Sequence, residues 1–201
     1  KVKKVLEARG AVIVNVEFNI SSDYKAAKEF YVLLYEFNVG MKNYLKGRDL
    51  PYETLEDIVE FNKANADIVL KHFGQEIFLE SLKATDTERY LKEREDIGRL
   101  AKAQIDSVLK VNNLDVIIGL TRNPGWLTDL ENGDSRGDGG ISWANGGLSA
   151  VAGYPHITIP LDFVNDLPVG VSFLGTAWDE ANLINAAYSF EQENKFFPIP
   201  K

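Results

Sequence analysis

The chain has 201 residues, 22 Lys and Arg against 30 Asp and Glu, a formal net charge of −8, two His and no Cys. An acidic chain without a dense basic stripe has no means of neutralising phosphates, which argues against nucleic acid as a partner. The lack of Cys excludes a disulfide scaffold, a thiolate nucleophile and every Cys-based metal site.

Helical and strand periods alternate along the chain, the pattern of an α/β fold, and its 45% hydrophobic content can supply a sizeable core. The chain opens at Lys1 inside a helix that reads to Arg9, so its natural N-terminus is expected further upstream. Residues 11–18 read as a strand, with Val12, Val14, Val16 and Phe18 on one face at period two. Ser22 or Asp23 can cap a long helix with the stripe Ala27, Phe30, Tyr31, Leu34, Phe37, Met41 and Leu45, weakened in its middle by Gly40. Thr54 with Asp57 three residues on spells a capping box for a helix from Leu55 to about Lys63. Two short helices are expected before Ala84. Thr85 with Glu88 then opens a helix to Val111, whose stripe includes Tyr90, Leu91, Ile97, Leu100, Ala101, Ile105 and Val108.

Leu114 to Gly119 is a short apolar strand of the kind covered on both faces. Residues 121–147 form a long irregular stretch rich in Gly, Asn and Asp, of a length that is more often functional than idle. His156–Pro160 and Val169–Leu174 read as strands around a turn at Asn165-Asp166, and Asp179 can cap a final helix carrying Leu183, Ile184, Ala187, Tyr188 and Phe190. No internal repeat is present, and residues 1–201 are expected to form a single domain. No apolar run approaches the roughly 20 residues that span a bilayer, so no membrane partner is expected.

Tests for local chemistry return little. His72 and His156 lack the HExxH spacing of a helix-borne zinc site and read as structural. Asp129, Glu131, Asp134 and Asp138 share one loop without the spacing of a calcium cage. The glycines of 133–140 form neither a P-loop nor a dinucleotide fingerprint. The Arg136-Gly137-Asp138 tripeptide is short enough to arise by chance. Ser149 does not sit in a GxSxG elbow, and a catalytic pairing with His156 has no support in the sequence. No metal and no cofactor is expected.

The C-terminal 60 residues carry a resemblance. Leu148–Pro160 (LSAVAGYPHITIP), then Leu167-Pro168-Val169-Gly170-Val171-Ser172-Phe173 and Ala177–Asn194 (AWDEANLINAAYSFEQEN), resemble the C-terminal end of the amidase signature family: an Ala-Gly-x-Pro turn, a strand ending in Pro, a Leu-Pro-x-Gly strand and a closing helix. Tyr35-Glu36-Phe37, Asn43-Tyr44-Leu45, Leu55–Asn62 and Phe73-Gly74-Gln75-Glu76 are similar to its middle region. Two departures stand in loops by this reading: Asp162 and Asp166 occupy positions where the family favours Gly, and Asp tolerates such turns.

The resemblance implies a mixed β-sheet flanked by helices, the C-terminal portion of the amidase signature fold. It also implies hydrolysis of carboxamide C–N bonds to acid and ammonia or amine, in the cytoplasm. The family's Ser-Ser-Lys catalytic set and its Gly/Ser-rich oxyanion loop have no counterpart here. The one Ser-Ser pair, Ser21-Ser22, is flanked by Ile20 and Asp23 without a glycine. No catalytic residue is therefore assigned, and the chain alone is expected to be inactive, completed by a missing N-terminal catalytic part of the same protein. By the same resemblance, Thr121–Trp126 and Trp143–Asn145 face the substrate. Trp126, Trp143 and Asn145 become the candidate binding residues for a small-molecule amide, with the two Trp equally able to cap the core. Unpaired strand edges and stripped helix faces also imply self-association. Two alternatives remain: an ammonia-releasing amidotransferase subunit, and a non-catalytic interaction protein that keeps the half-fold.

Overall fold

The structure, a computed structural model, describes residues 1–17, 29–132 and 145–197, with the side chain of Asn145 outside the description. The chain divides into two compact units. One comprises Lys1–Lys25, Ile97–Trp126 and Gly137–Lys201, and the other Ala26–Asp96 and Leu127–Arg136.

The first unit is built on a three-stranded antiparallel sheet of β1 (Ile117–Leu120), β2 (His156–Val164) and β3 (Leu167–Leu174), in the order β1-β3-β2. A two-residue hairpin joins β2 to β3 at Asn165 (φ 50°) and Asp166 (φ 62°). Both sit in the left-handed region, the geometry whose twist suits a tight hairpin and that Asn and Asp tolerate. Pro168 lies near the hairpin end of β3, beyond the β1 pairing that begins at Val171, so its missing N–H costs no bond to β1. All described pairings are antiparallel, and the parallel neighbours of a mixed sheet are not among the described residues.

Val171 and Phe173 of β3, with Ile159 and Leu161 of β2, point to one face. There they meet Leu183, Ala187 and Phe190 of the last helix (Glu180–Asn194) and Leu6 of the first (Val2–Ala8). Phe173 and Phe190 are fully buried, ring centroids 5.9 Å apart. Ile159 and Leu161, two residues apart, share this face by the alternation of the strand, and a register shift between Pro160 and Asp162 leaves Leu161 as the residue without a partner in β3.

Three sequence expectations change here. Residues 11–17 pair with no strand among the described residues and form no β-ladder, and Ile13 turns to the core while Val12 is 89% exposed. An alternating pattern specifies a strand only where a neighbour supplies the ladder. Second, β2 does not end at Pro160. It continues to Val164, and Asp162 pairs with Val169 inside the strand rather than in a loop, its carboxylate accepting a bond from Lys1 Nζ at 2.8 Å. That bond, with one from its neighbour's N–H, holds the Asp162 carboxyl below the usual range. Third, the long helix runs Thr87–Val111 with Asp86 as its cap, since Asp86 Oδ1 accepts from Arg89 N at 2.9 Å. Its buried stripe is Ile97, Ala101, Ile105 and Leu109, whereas Leu91 is exposed.

Labelled in chain order, the helices are α1 (Val2–Ala8), α2 (Glu29–Leu45), α3 (Leu55–Ala64), α4 (Ala66–Val69), α5 (Glu76–Lys83), α6 (Thr87–Val111), α7 (Asn145–Ala152) and α8 (Glu180–Asn194). The second unit is helical, with α5 packing on α2 and α3. The Thr54 capping box forms as expected. Asp57 N donates to Thr54 Oγ1 at 3.2 Å, and Thr54 N donates to Asp57 Oδ2 at 2.9 Å. The N–H of Glu53, with that of Thr54 and its hydroxyl, holds the Asp57 carboxyl below its ordinary value. Gly40 does not interrupt α2. Aromatic contacts bind α2 to the opening of α6: Tyr35 stacks on Tyr90 at 4.2 Å, and Tyr90 Oη donates to Glu36 Oε1 at 2.8 Å.

A candidate wall of a substrate pocket

The motif Ala-Gly-x-Pro is a helix terminator with a mechanism. Gly153 follows α7 at φ 69°, Gly153 N donates to Ala150 O, and Tyr154 N donates to Ser149 O at 3.0 Å. These are the paired bonds of a Schellman end, which needs a residue free to adopt the left-handed region. Pro155 then prevents the helix from continuing. The turn is tied down through Asp106 of α6. Tyr154 Oη donates to one carboxylate oxygen and Thr176 Oγ1 to the other, each at 2.8 Å. Burial, followed by the bond to Asp106, raises the Tyr154 phenol above its ordinary value. Asp106 thus fixes the turn before β2 and the loop after β3 together.

The sheet face opposite that core is apolar at one end, where Ile117 pairs with Leu174 and both are buried, and carries small and polar residues toward the hairpin. In register across the three strands stand Gly119, Ser172 and Thr158. Thr121, just past β1, extends the ladder by donating its N–H to Gly170 O at 2.9 Å. Its hydroxyl lies 2.7 Å from Ser172 Oγ, which in turn lies 3.2 Å from Thr158 Oγ1. Three hydroxyls from three strands therefore form one hydrogen-bonded row. Gly170 is compulsory beneath it: a Cβ there would lie 2.8 Å from Thr158 Cγ2 and 2.9 Å from Thr121 Oγ1.

His156 begins β2 on this same face, beside the first turn of α7, where a Cβ on Gly146 would sit 3.9 Å from its Cε1. Burial holds the imidazole below its ordinary value. Its Nε2 and the buried hydroxyl of Ser149 have no hydrogen-bond partner among the described residues, so the two are not a catalytic pair. Ser172 is buried, and the hydrogen-bond partners of its hydroxyl among the described residues are the hydroxyls of Thr121 and Thr158. The row can hydrogen-bond and shape a ligand, but it holds no activated nucleophile.

Of the residues singled out from the sequence, Trp126 lies in the loop after β1 and is 46% exposed. Trp143 lies outside the described residues. Asn145 is the first residue of α7, with its side chain outside the description. Sequence reasoning misses Thr158 and Ser172 as site residues. Each lies in a strand that the sequence pattern delineates, but only the pairing of β2 with β3 shows that they share a row with Thr121. In the loop before α7, the Asp129 carboxylate accepts from Glu131 N, Asn132 N and Asn132 Nδ2, a local turn that holds it below its ordinary value. Asp134 and Asp138 lie outside the described residues. No group of three or more His, Asp or Glu that could hold a metal ion occurs among the described residues. Nor is any helix among them long and apolar enough to cross a membrane.

An α/β module with this motif order defines a class, and the sequence pattern of the amidase family matches residues 1–184. The chain belongs to the amidase family. It is similar to the native peptide amidase of Stenotrophomonas maltophilia, with 33% identity and a TM-score of 0.83 over 100% of this chain and 40% of that one. It is also similar to a protein of Arabidopsis thaliana named a probable amidase (27% identical over 98% of this chain and 36% of that protein). A third relative is a glutamyl-tRNA(Gln) amidotransferase subunit of Exiguobacterium sibiricum, 29% identical over 98% of this chain and 41% of that protein. The chain thus spans about two-fifths of the length of these relatives.

Proposed function

We propose that residues 1–201 are one C-terminal part of an amidase domain in a cytoplasmic hydrolase that cleaves carboxamide C–N bonds to acid and ammonia or amine. The observation that carries this reading is the alignment with the peptide amidase fold along the whole chain and only 40% of that enzyme. The part present supplies sheet, core and one wall of the substrate pocket. On this reading the Ser-Ser-Lys set belongs to an N-terminal part outside these residues, because no Gly-flanked Ser pair occurs in them. The hydroxyl row of Thr121, Ser172 and Thr158 supports a polar wall, and on this reading Trp126, Trp143 and Asn145 are the residues that contact a small-molecule amide.

The test is hydrolysis of a panel of peptide amides. The chain alone should release no ammonia above background, and activity should appear when it is produced together with the coding sequence upstream of Lys1. Turnover by the chain alone, abolished by a serine-directed fluorophosphonate, would overturn the assignment of catalysis to the missing part. In the active protein, Trp126→Ala, Trp143→Ala or Asn145→Ala should raise KM more than it lowers kcat, because such residues hold ground state and transition state alike. A second reading, an ammonia-releasing amidotransferase subunit, draws support from the relative of that name in Exiguobacterium sibiricum. Ammonia release that requires a partner protein would favour it.

A further inference from the structure

β2 is a nine-residue strand at one edge of the described sheet, and a bare edge of that length is a template for a further strand. Its outward groups follow from the register. Thr121 N donates to Gly170 O, so Gly170 turns its backbone groups toward β1, and its partner Pro160 turns its own away from β3. Pro160 has no N–H to offer there, and its carbonyl accepts from Asn194 Nδ2 at 3.2 Å. The carbonyl of Leu161, the bulged residue, accepts from Asn194 Nδ2 at 3.2 Å and from Lys1 Nζ at 3.1 Å. Phe163 N donates to Asp162 Oδ1 at 2.9 Å, and the other oxygen of that carboxylate accepts from Lys1 Nζ at 2.8 Å. Phe196, just past α8, meets the same stretch. Its ring stands edge-on to that of Phe163 at 5.1 Å, with Lys1 Nζ over it at 5.5 Å.

We propose that Lys1, Asp162, Asn194 and Phe196 form a clasp that closes the outer edge of β2 at Pro160–Phe163 against strand addition by a second copy of this chain. Separate devices converge on that stretch: a proline, a bulge, side-chain donors on the carbonyls and a carboxylate on an N–H. Strand addition is driven by hydrogen bonds to backbone groups. A strand arriving here must displace partners already in place, so each bond it makes replaces one it breaks. Lys1 and Asn194 reach this strand from 161 and 33 positions away, so only the packing of α1 and α8 beside β2 assembles the clasp. Asp162 stands where the amidase signature pattern favours Gly, and the carboxylate that joins Lys1 to the N–H of Phe163 is therefore a feature of this chain rather than of the pattern. The clasp does not depend on the hydrolase reading.

The test is sedimentation velocity of the 201-residue chain over a concentration series, with amide hydrogen exchange at Thr158 as the local readout. Thr158, two residues before Pro160, turns its N–H to the same side, so a strand added at this edge would slow its exchange. In the wild-type chain that exchange should be the same at every concentration. Lys1→Ala, Pro160→Val, Asp162→Val and Asn194→Ala, combined, free the carbonyls and restore an outward N–H. The open chain should associate about tenfold more tightly or better, and its Thr158 exchange should slow as concentration rises. Asp162→Ala with Asn194→Ala touches no core residue and should do the same to a smaller degree, which serves if the quadruple variant does not fold. The wild-type measurement needs no variant at all. A folded open variant that associates no more than wild type would overturn the proposal, as would association that leaves Thr158 exchange unchanged. Wild-type exchange at Thr158 that slows with concentration would overturn it too, because the edge would then already be in use.

Discussion

On one face of the sheet, Ile159, Leu161, Val171 and Phe173 pack against Leu6 of α1 and Leu183, Ala187 and Phe190 of α8. On the reverse face, at the alternate positions of the same strands, Ile117 and Leu174 are buried at one end, while Gly119, Ser172, Thr158 and Gly170 carry a row of hydroxyls with Thr121 toward the hairpin. The same backbone thus carries a wholly apolar stretch and a hydroxyl row one residue apart, because successive side chains of a strand point to opposite sides. Stability should depend steeply on the first face and weakly on the hydroxyl row of the second, and substitutions can test that division.

The largest effect is expected from Phe173→Ala. Removing a fully buried ring from against Phe190 should cost about 3–5 kcal/mol, read by denaturant unfolding. A loss near 1 kcal/mol would show that α8 is not firmly seated on the sheet. Next comes Gly170→Val, which tests whether the reverse face has room. Its new Cβ would press on Thr158 and Thr121, and overpacking of this kind costs about 1–3 kcal/mol. Ser172→Ala should cost about 1 kcal/mol, since it removes the hydroxyl shared by Thr121 and Thr158 while both neighbours retain access to water. A cost as large as that of Phe173→Ala would move this face into the core.

The smallest effect is a pH dependence. Burial favours the neutral His156 ring, so its folded value lies below the unfolded one, which is near about 6.5. The unfolded chain then takes up a proton that the folded chain resists. The stability gained from this difference is present in full above the unfolded value and is lost as pH falls through it toward the folded value. His156→Gln should therefore flatten the decline of Tm between about pH 7 and about pH 5. An identical decline in both proteins would place the ring in water.

Much of the molecule is legible before folding because it rests on local chemistry. Thr54 and Asp57 meet within one turn, Asn165-Asp166 tolerate the left-handed region, and Gly153 with Pro155 ends a helix, all without help from distant residues. The Leu55 helix, the β2–β3 hairpin and the Ala-Gly-x-Pro turn follow from such pairs. Asp86 takes the cap expected of Thr85, a shift of one residue, although Thr85 is the one with Glu three residues on. Residues 11–17 have the alternation of a strand, yet they gain no ladder among the described residues.

For the candidate site, the motif order carries the family and the placement of Trp126 after β1. The hydroxyl row is hidden, because Thr121, Thr158 and Ser172 lie 14 to 51 positions apart and meet only across paired strands. Asp106 is hidden for the same reason: on its helix it is one polar residue beside the buried Ile105, and its role exists only where Tyr154 and Thr176 converge on it. Side-chain identity and spacing dictate turns, caps and amphipathic stripes, whose partners lie within a few residues. Register across strands, the seat of a carboxylate between two loops and the clasp on the β2 edge arise from contacts between residues far apart in the chain. Those were settled by packing alone.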